Sequence, residues 1–243
     1  MMMSPSAASH FFAFAVLCLT SVPVYSEITG RISLQGTPLY PDVVIDNATD
    51  KHCQEHGEIK TSDWIISPEG GLGDVVVSIV EPPAGATADS PKKIDILQEG
   101  CTYKPHVSAL LAGGQASIKN GDDTLHNVRG VAFLGRGKRS RPLFNIGQPV
   151  KGMVLEHTFK ETGTYKLNCD VHPWMEAWVL VFPHPFFAVS APDGTFSLPA
   201  GLPDGEYTAQ SWHSRFKTPL TQKITVTGGK AEMNFTFDAT LSQ

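Results

Sequence analysis

Cys169, His172 and Met175 lie within the seven residues Cys169-Asp170-Val171-His172-Pro173-Trp174-Met175. A thiolate, an imidazole and a thioether on one short loop can wrap a single ion, and His126 can supply a fourth ligand from a separate segment. Two histidines, one thiolate and a weak axial thioether suit both Cu(I) and Cu(II), which limits rearrangement on electron transfer. Zinc more often takes several Cys or His and does not favour Met. The spacing therefore points to one copper ion held by His126, Cys169, His172 and Met175. Taken singly, a strand Cys reads as a small buried hydrophobe and a Met as core filling. Their joint spacing with the upstream His carries the metal reading.

Such a loop needs strands on both sides. Gly163-Thr164-Tyr165-Lys166-Leu167-Asn168-Cys169 reads as a strand ending on the cysteine, and Trp178-Val179-Leu180-Val181-Phe182 as the strand leaving the loop. Asp122-Asp123-Thr124-Leu125-His126-Asn127-Val128 reads as a turn entering another strand. Elsewhere short apolar runs such as Val75-Val76-Val77-Ser78-Ile79-Val80 alternate with Gly, Pro, Asp and Asn, and no stretch keeps a helical period for three turns. With 22 Gly, 18 Pro and 41% hydrophobic residues, the chain reads as an all-β protein of sandwich type with many turns.

The ligand loop resembles that of amicyanin and plastocyanin-type cupredoxins, and its Cys-x2-His-x2-Met spacing is most similar to amicyanin. Asp123-Thr124-Leu125-His126-Asn127-Val128 is similar to the family's first-ligand segment. Tyr103-Lys104-Pro105 and the Ala112-Gly113-Gly114 turn resemble the strands before it. The resemblance implies a Greek-key cupredoxin sandwich over residues 92–183 and a one-electron carrier or relay. It implies that Asn127, otherwise a plain turn residue, ties the two ligand loops together. It further implies that the His172 ring edge faces solvent, with Pro173 and Trp174 forming an apolar collar for a redox partner, a cytochrome or a copper or quinoprotein enzyme.

The flanks suggest a second, discontinuous small β-sandwich. Ala191-Pro192-Asp193-Gly194-Thr195-Phe196-Ser197-Leu198 and Leu202-Pro203-Asp204-Gly205-Glu206-Tyr207-Thr208-Ala209 are similar to carboxypeptidase regulatory-like, transthyretin-like modules. Ile28-Thr29-Gly30-Arg31-Ile32-Ser33-Leu34 resembles the first strand of such a module. The expected organisation is a leader at 1–26, a first sandwich segment at 27–91, the cupredoxin at 92–183 and a second sandwich segment at 184–243.

Residues 11–22 form an apolar run too short to span a bilayer and placed as a secretory leader would be. No later segment is apolar enough to cross, so a periplasmic or secreted location is expected. Cys18 lacks the small residue before it that a lipid anchor would want. Beyond the leader remain Cys53, Cys101 and Cys169. Whether Cys53 and Cys101 pair is a question of geometry that spacing leaves open. His52, Cys53 and His56 read either as a polar loop with a disulfide cysteine or as a second metal site. His106, His157, His184 and His213 have no partner at ligand spacing and read as structural.

A net charge of −5 gives no reason to expect nucleic acid. Arg136, Lys138, Arg139 and Arg141, four cations within six residues, read as a solvated loop or as a docking patch for an acidic partner. No His-x-His pair occurs, so clustered histidines for a catalytic copper are not expected and the chain reads as no enzyme. Copper storage or delivery is the alternative to electron transfer.

Overall fold

The structure, a computed structural model, describes residues 27–46, 50–61, 63–87, 89–134 and 139–243. The leader, Cys18, Arg136 and Lys138 lie outside the described residues. In chain order come β1 (Glu27–Gln35), a short helix α1 (Lys51–Glu55) and β2 (Val76–Ile79). Next are β3 (Lys93–Gln98), β4 (Tyr103–Lys104), β5 (Val107–Leu111), β6 (Gly114–Asn120), β7 (His126–Leu134), β8 (Arg139–Gln148), β9 (Val154–Phe159), β10 (Gly163–Asn168) and β11 (Glu176–Phe182). The chain closes with β12 (Phe187–Val189), β13 (Thr195–Leu198), β14 (Gly205–Trp212), β15 (Leu220–Val226) and β16 (Lys230–Asp238). The protein is nearly all β, as its strand-and-turn texture predicts. Among the described residues no helix is long and apolar enough to cross a membrane.

Two sheets come from the middle of the chain, one ordered β5-β11-β10-β7-β8 and the other β4-β3-β6-β9. Their inner faces enclose Ile96, Leu110, Ile118, Val128, Phe159, Leu167, Val179 and Val181. The other two sheets, β13-β1-β16 and β12-β2-β14-β15, each mix strands from both ends of the chain. They enclose Ile28, Ile32, Val77, Ile79, Phe196, Phe235 and Phe237. Gly30 shows how closely the ends meet. A Cβ there would lie 1.7 Å from the Met233 carbonyl oxygen and 2.7 Å from the Phe196 ring, so only glycine fits between β13 and β16.

Side chains alternate across a strand, and β11 uses both of its faces. Ala177, Val179 and Val181 point into the first core. Trp178, Leu180 and Phe182 point the other way and join Val76, Val107, Phe187 and Trp212 in a third cluster. Trp178 meets Trp212 edge-on at 5.6 Å, and Phe182 stacks on Phe187 at 4.7 Å.

Beside this apolar contact His106 is buried, with Nδ1 3.2 Å from the Asp74 carboxylate and Nε2 4.0 Å from Glu176. At 4.0 Å Glu176 acts as a charge rather than a hydrogen-bond acceptor. Burial alone would lower the His106 pKa, but the two carboxylates outweigh it and raise it to about 9. A raised histidine pKa contributes stability that is complete below the unfolded value of about 6.5 and is lost as pH rises through about 9. Denaturant unfolding between pH 6 and pH 10 should show the parent losing at most about 3 kcal/mol more than His106→Gln over that window. Parallel curves would mean that His106 is held neutral.

Candidate metal centre

β7 and β10 are neighbours in one sheet, paired from Thr164 with Phe133 to Asn168 with Arg129. His126 at the start of β7 and Cys169 just past β10 therefore emerge at the same end of the sandwich. The turn before β7 is organised by buried Asn120, whose side-chain amide donates to the carbonyls of Thr124 and Gln148 and whose oxygen accepts from Asp122 N–H. After Cys169 the chain folds tightly on itself. Met175 N–H donates to the His172 carbonyl at 2.9 Å and Cys169 N–H to the Met175 carbonyl at 3.2 Å. That closure brings His172 back over the cysteine and seats Met175, fully buried, in the first core.

Cys169 Sγ stands 4.0 Å from His126 Nδ1 and 3.8 Å from His172 Nδ1, and the two nitrogens are 3.0 Å apart. An ion with bonds of roughly 2.3 Å to sulfur and 2.0 to 2.1 Å to nitrogen, at trigonal angles, would separate sulfur from nitrogen by roughly 3.8 Å. Both sulfur–nitrogen spacings match this.

The far nitrogens fix the tautomers. His126 Nε2 is 2.9 Å from Asp122 Oδ2, and His172 Nε2 is 2.9 Å from Asp50 Oδ2. A carboxylate only accepts, so each Nε2 carries a proton and each ring turns its Nδ1 toward the sulfur. Burial would raise the Cys169 pKa, but His126, His172 and the Asn127 N–H, which reaches the sulfur at 3.4 Å, lower it to about 6. Two imidazole nitrogens and one sulfur thus converge on one buried point, a set that a soft or borderline cation can take once their protons leave. The donor set fits copper.

Asn127 performs the tying role that the family resemblance implies. Its Oδ1 accepts from Asp170 N–H at 2.5 Å and its Nδ2 donates to Asn145 at 2.6 Å, joining β7, β8 and the ligand loop. Arg129 also pairs with Asp170 at 3.0 Å.

One expectation is overturned. The His172 ring does not present an edge to solvent and is only 1% exposed. Asp50, the N-cap residue of α1, sits on its Nε2, and Thr124 donates to the same carboxylate oxygen at 3.2 Å. Cys53 of α1 is bonded to Cys101, which settles the pairing left open by spacing and anchors this cover. Ile45 and Ile59 of the covering segment pack on the first core. Trp174, half-buried, donates from Nε1 to the Cys101 carbonyl at 2.9 Å, so it props the cover as well as lying 5.1 Å from the His172 ring. Pro173 remains exposed, next to Val171.

The roles of Asp50 and Asp122 are not legible in the chain itself. Asp50 is 122 residues from its histidine, so no local spacing reveals it. Asp122 lies four residues before His126, a signal that was available but reads equally as a turn residue.

Comparison with solved structures places cupredoxins among those similar to this chain. A purple cupredoxin from Nitrosopumilus maritimus is 25% identical, covering 39% of this chain and 100% of its own, with a TM-score of 0.31. A Cu(I) form of an amicyanin variant is 19% identical over 44% of this chain and 98% of its own, with a TM-score of 0.31. A Cu-containing nitrite reductase from Thermus scotoductus SA-01 is 22% identical over 42% of this chain and 25% of its own, with a TM-score of 0.30. No protein-family model and no curated protein matches the chain.

If Asp50 orients His172, Asp50→Ala should weaken metal binding about tenfold, at the lower end of the cost of losing such a partner. Competition titration against a chelator measures it. An unchanged affinity would leave Asp50 with the capping of α1 alone.

Proposed function

We propose that this protein is an exported type 1 copper protein serving as a one-electron carrier or relay, with His126, Cys169, His172 and Met175 as the ligands of a single copper ion. The observation that carries this reading is the convergence of Cys169 Sγ with His126 Nδ1 and His172 Nδ1, each ring locked from behind by a carboxylate. Copper bound to such a set exchanges one electron between Cu(I) and Cu(II), at a potential tuned by the axial ligand and the surroundings of the sulfur. The chain's own contribution is rigidity. Asn127, Asp50 and Asp122 hold the ligand residues in place from outside, and buried surroundings exclude water from the sulfur.

Burial of His126, Cys169 and His172 beneath a disulfide-anchored cover favours retention of the metal over its delivery. With the His172 edge closed, a redox partner would meet the exposed Leu125, Val171 and Pro173, the apolar side chains beside the ligand residues, with Trp174 behind them. We assign the metal domain to residues 92–183 and a scaffold or docking sandwich to 27–91 together with 184–243, with the cover around α1, though part of the first flank, lying on the metal domain. The mixing of strands from both flanks in shared sheets supports that division.

With Cu(II) the protein should show an intense visible thiolate-to-copper band, and Cys169→Ala should abolish it. A colourless Cu(II) protein with its fold intact would sink the assignment. Met175→Gln should keep the copper but lower its reduction potential, because an oxygen ligand favours Cu(II). Voltammetry reads the shift, and an unchanged potential would return Met175 to the core.

A further inference from the structure

The covering segment carries a second set of ligand atoms. His52 and His56 are four residues apart on α1 and at its C-terminal cap, a spacing that puts both rings on one side of a helical turn. Their Nε2 atoms face one another at 3.1 Å, and His52 Nε2 is 3.3 Å from Asp122 Oδ1. All three ligand atoms lie within 4.8 Å of one another. A tetrahedral ion with bonds of 2.0 to 2.1 Å would space its ligand atoms by roughly 3.3 Å, which both measured edges approach. Cys53, between the two histidines, is committed to Cys101 and supplies nothing here. Space puts Asp122 where the chain offered Cys53.

Hydrogen bonding serves this cluster poorly. His52 Nε2 bears at most one hydrogen, which would have to satisfy both the Asp122 carboxylate and the His56 ring nitrogen. One cation satisfies all three. Asp122 is firmly placed to act as its anchor, being 2% exposed, with Oδ1 accepting from Gly100 N–H at 2.8 Å and Oδ2 from Cys101 N–H at 2.9 Å. His56 is exposed, so the set is open on one side to water or another ligand.

We propose that His52 Nε2, His56 Nε2 and Asp122 Oδ1 form a second metal site for a divalent first-row cation, zinc or copper, coupled through Asp122 to His126 of the first site. The N2O donor set with an open position suits these ions. Because the other oxygen of Asp122 accepts from His126, a cation on Oδ1 draws charge from the carboxylate and weakens its support of that imidazole. A less basic His126 favours Cu(I), so filling the second site raises the potential of the first. Binding itself does not depend on the copper reading of the first site; the coupling does.

The test uses Zn2+ as probe on the full-length protein. Cys169→Ala, crippled at the first site, should still bind one equivalent of Zn2+ by calorimetry. Adding His56→Ala should weaken that binding at least tenfold, and as His56 is exposed the fold should survive, which circular dichroism checks. No zinc binding by Cys169→Ala, or the same binding with and without His56, would overturn the site. In the copper-loaded parent, Zn2+ should shift the potential upward, and in His56→Ala it should not. An unmoved potential in zinc-bound parent would overturn the coupling, while the absence of a thiolate band would implicate the first-site reading and leave the calorimetry to judge the second site.

Discussion

A buried carboxylate is costly unless every lone pair is used, and the arrangement around the metal centre depends on Asp122 meeting that condition. Its oxygens take backbone N–H groups from Gly100 and Cys101, the His126 ring and a contact from His52. Burial pushes its pKa up, but His126 and the two backbone donors outweigh this and hold it well below the usual carboxylate range. One side chain thereby fixes the turn that carries a disulfide cysteine, the tautomer of the first histidine and one end of the cover. Asp50 does the corresponding work on His172, with α1 and Thr124 as its supports. The two rings are held from opposite partners, so neither depends on the ion for its orientation.

The candidate ligand loop was legible because its geometry is local. Cys169, His172 and Met175 sit on one turn between two strands, and the strand that ends on Cys169 follows from alternation in Tyr165, Leu167 and Cys169, all buried. His126 was legible through His126-Asn127-Val128, which resembles a first-ligand segment. What stayed hidden is what the chain brings from afar. The cover over His172 comes from a stretch with little apolar period and only a five-residue helix, α1, whose place is set by a disulfide and one carboxylate. Likewise, the second histidine pair was visible at His52 and His56, but its carboxylate partner is 66 to 70 residues further on, beyond any spacing rule.

The third apolar cluster gives the two pairs of sheets a shared wall. Trp178 and Trp212, with Phe182 and Phe187, fill it with aromatic surface, which brings more burial per residue than aliphatic side chains would. Since β11 begins one residue after Met175 and contributes to the first core and to the third cluster, the ligand loop is tethered to more than one sheet. His106 and Asp74 add a charged contact at the same wall.

The order of the cysteines along the chain also shapes how the molecule can be assembled. Cys169 trails Cys101 by 68 residues, so if the chain is exported as proposed, Cys53 and Cys101 meet an oxidant before Cys169 does. Vectorial emergence thus favours the native pairing without any sorting step and leaves the last thiol unpaired. A chain refolded from the fully reduced state has no such ordering, and Cys53, Cys101 and Cys169 compete at once. Biogenesis of this protein would then be more faithful than its renaturation, for a reason written in the sequence positions of three residues.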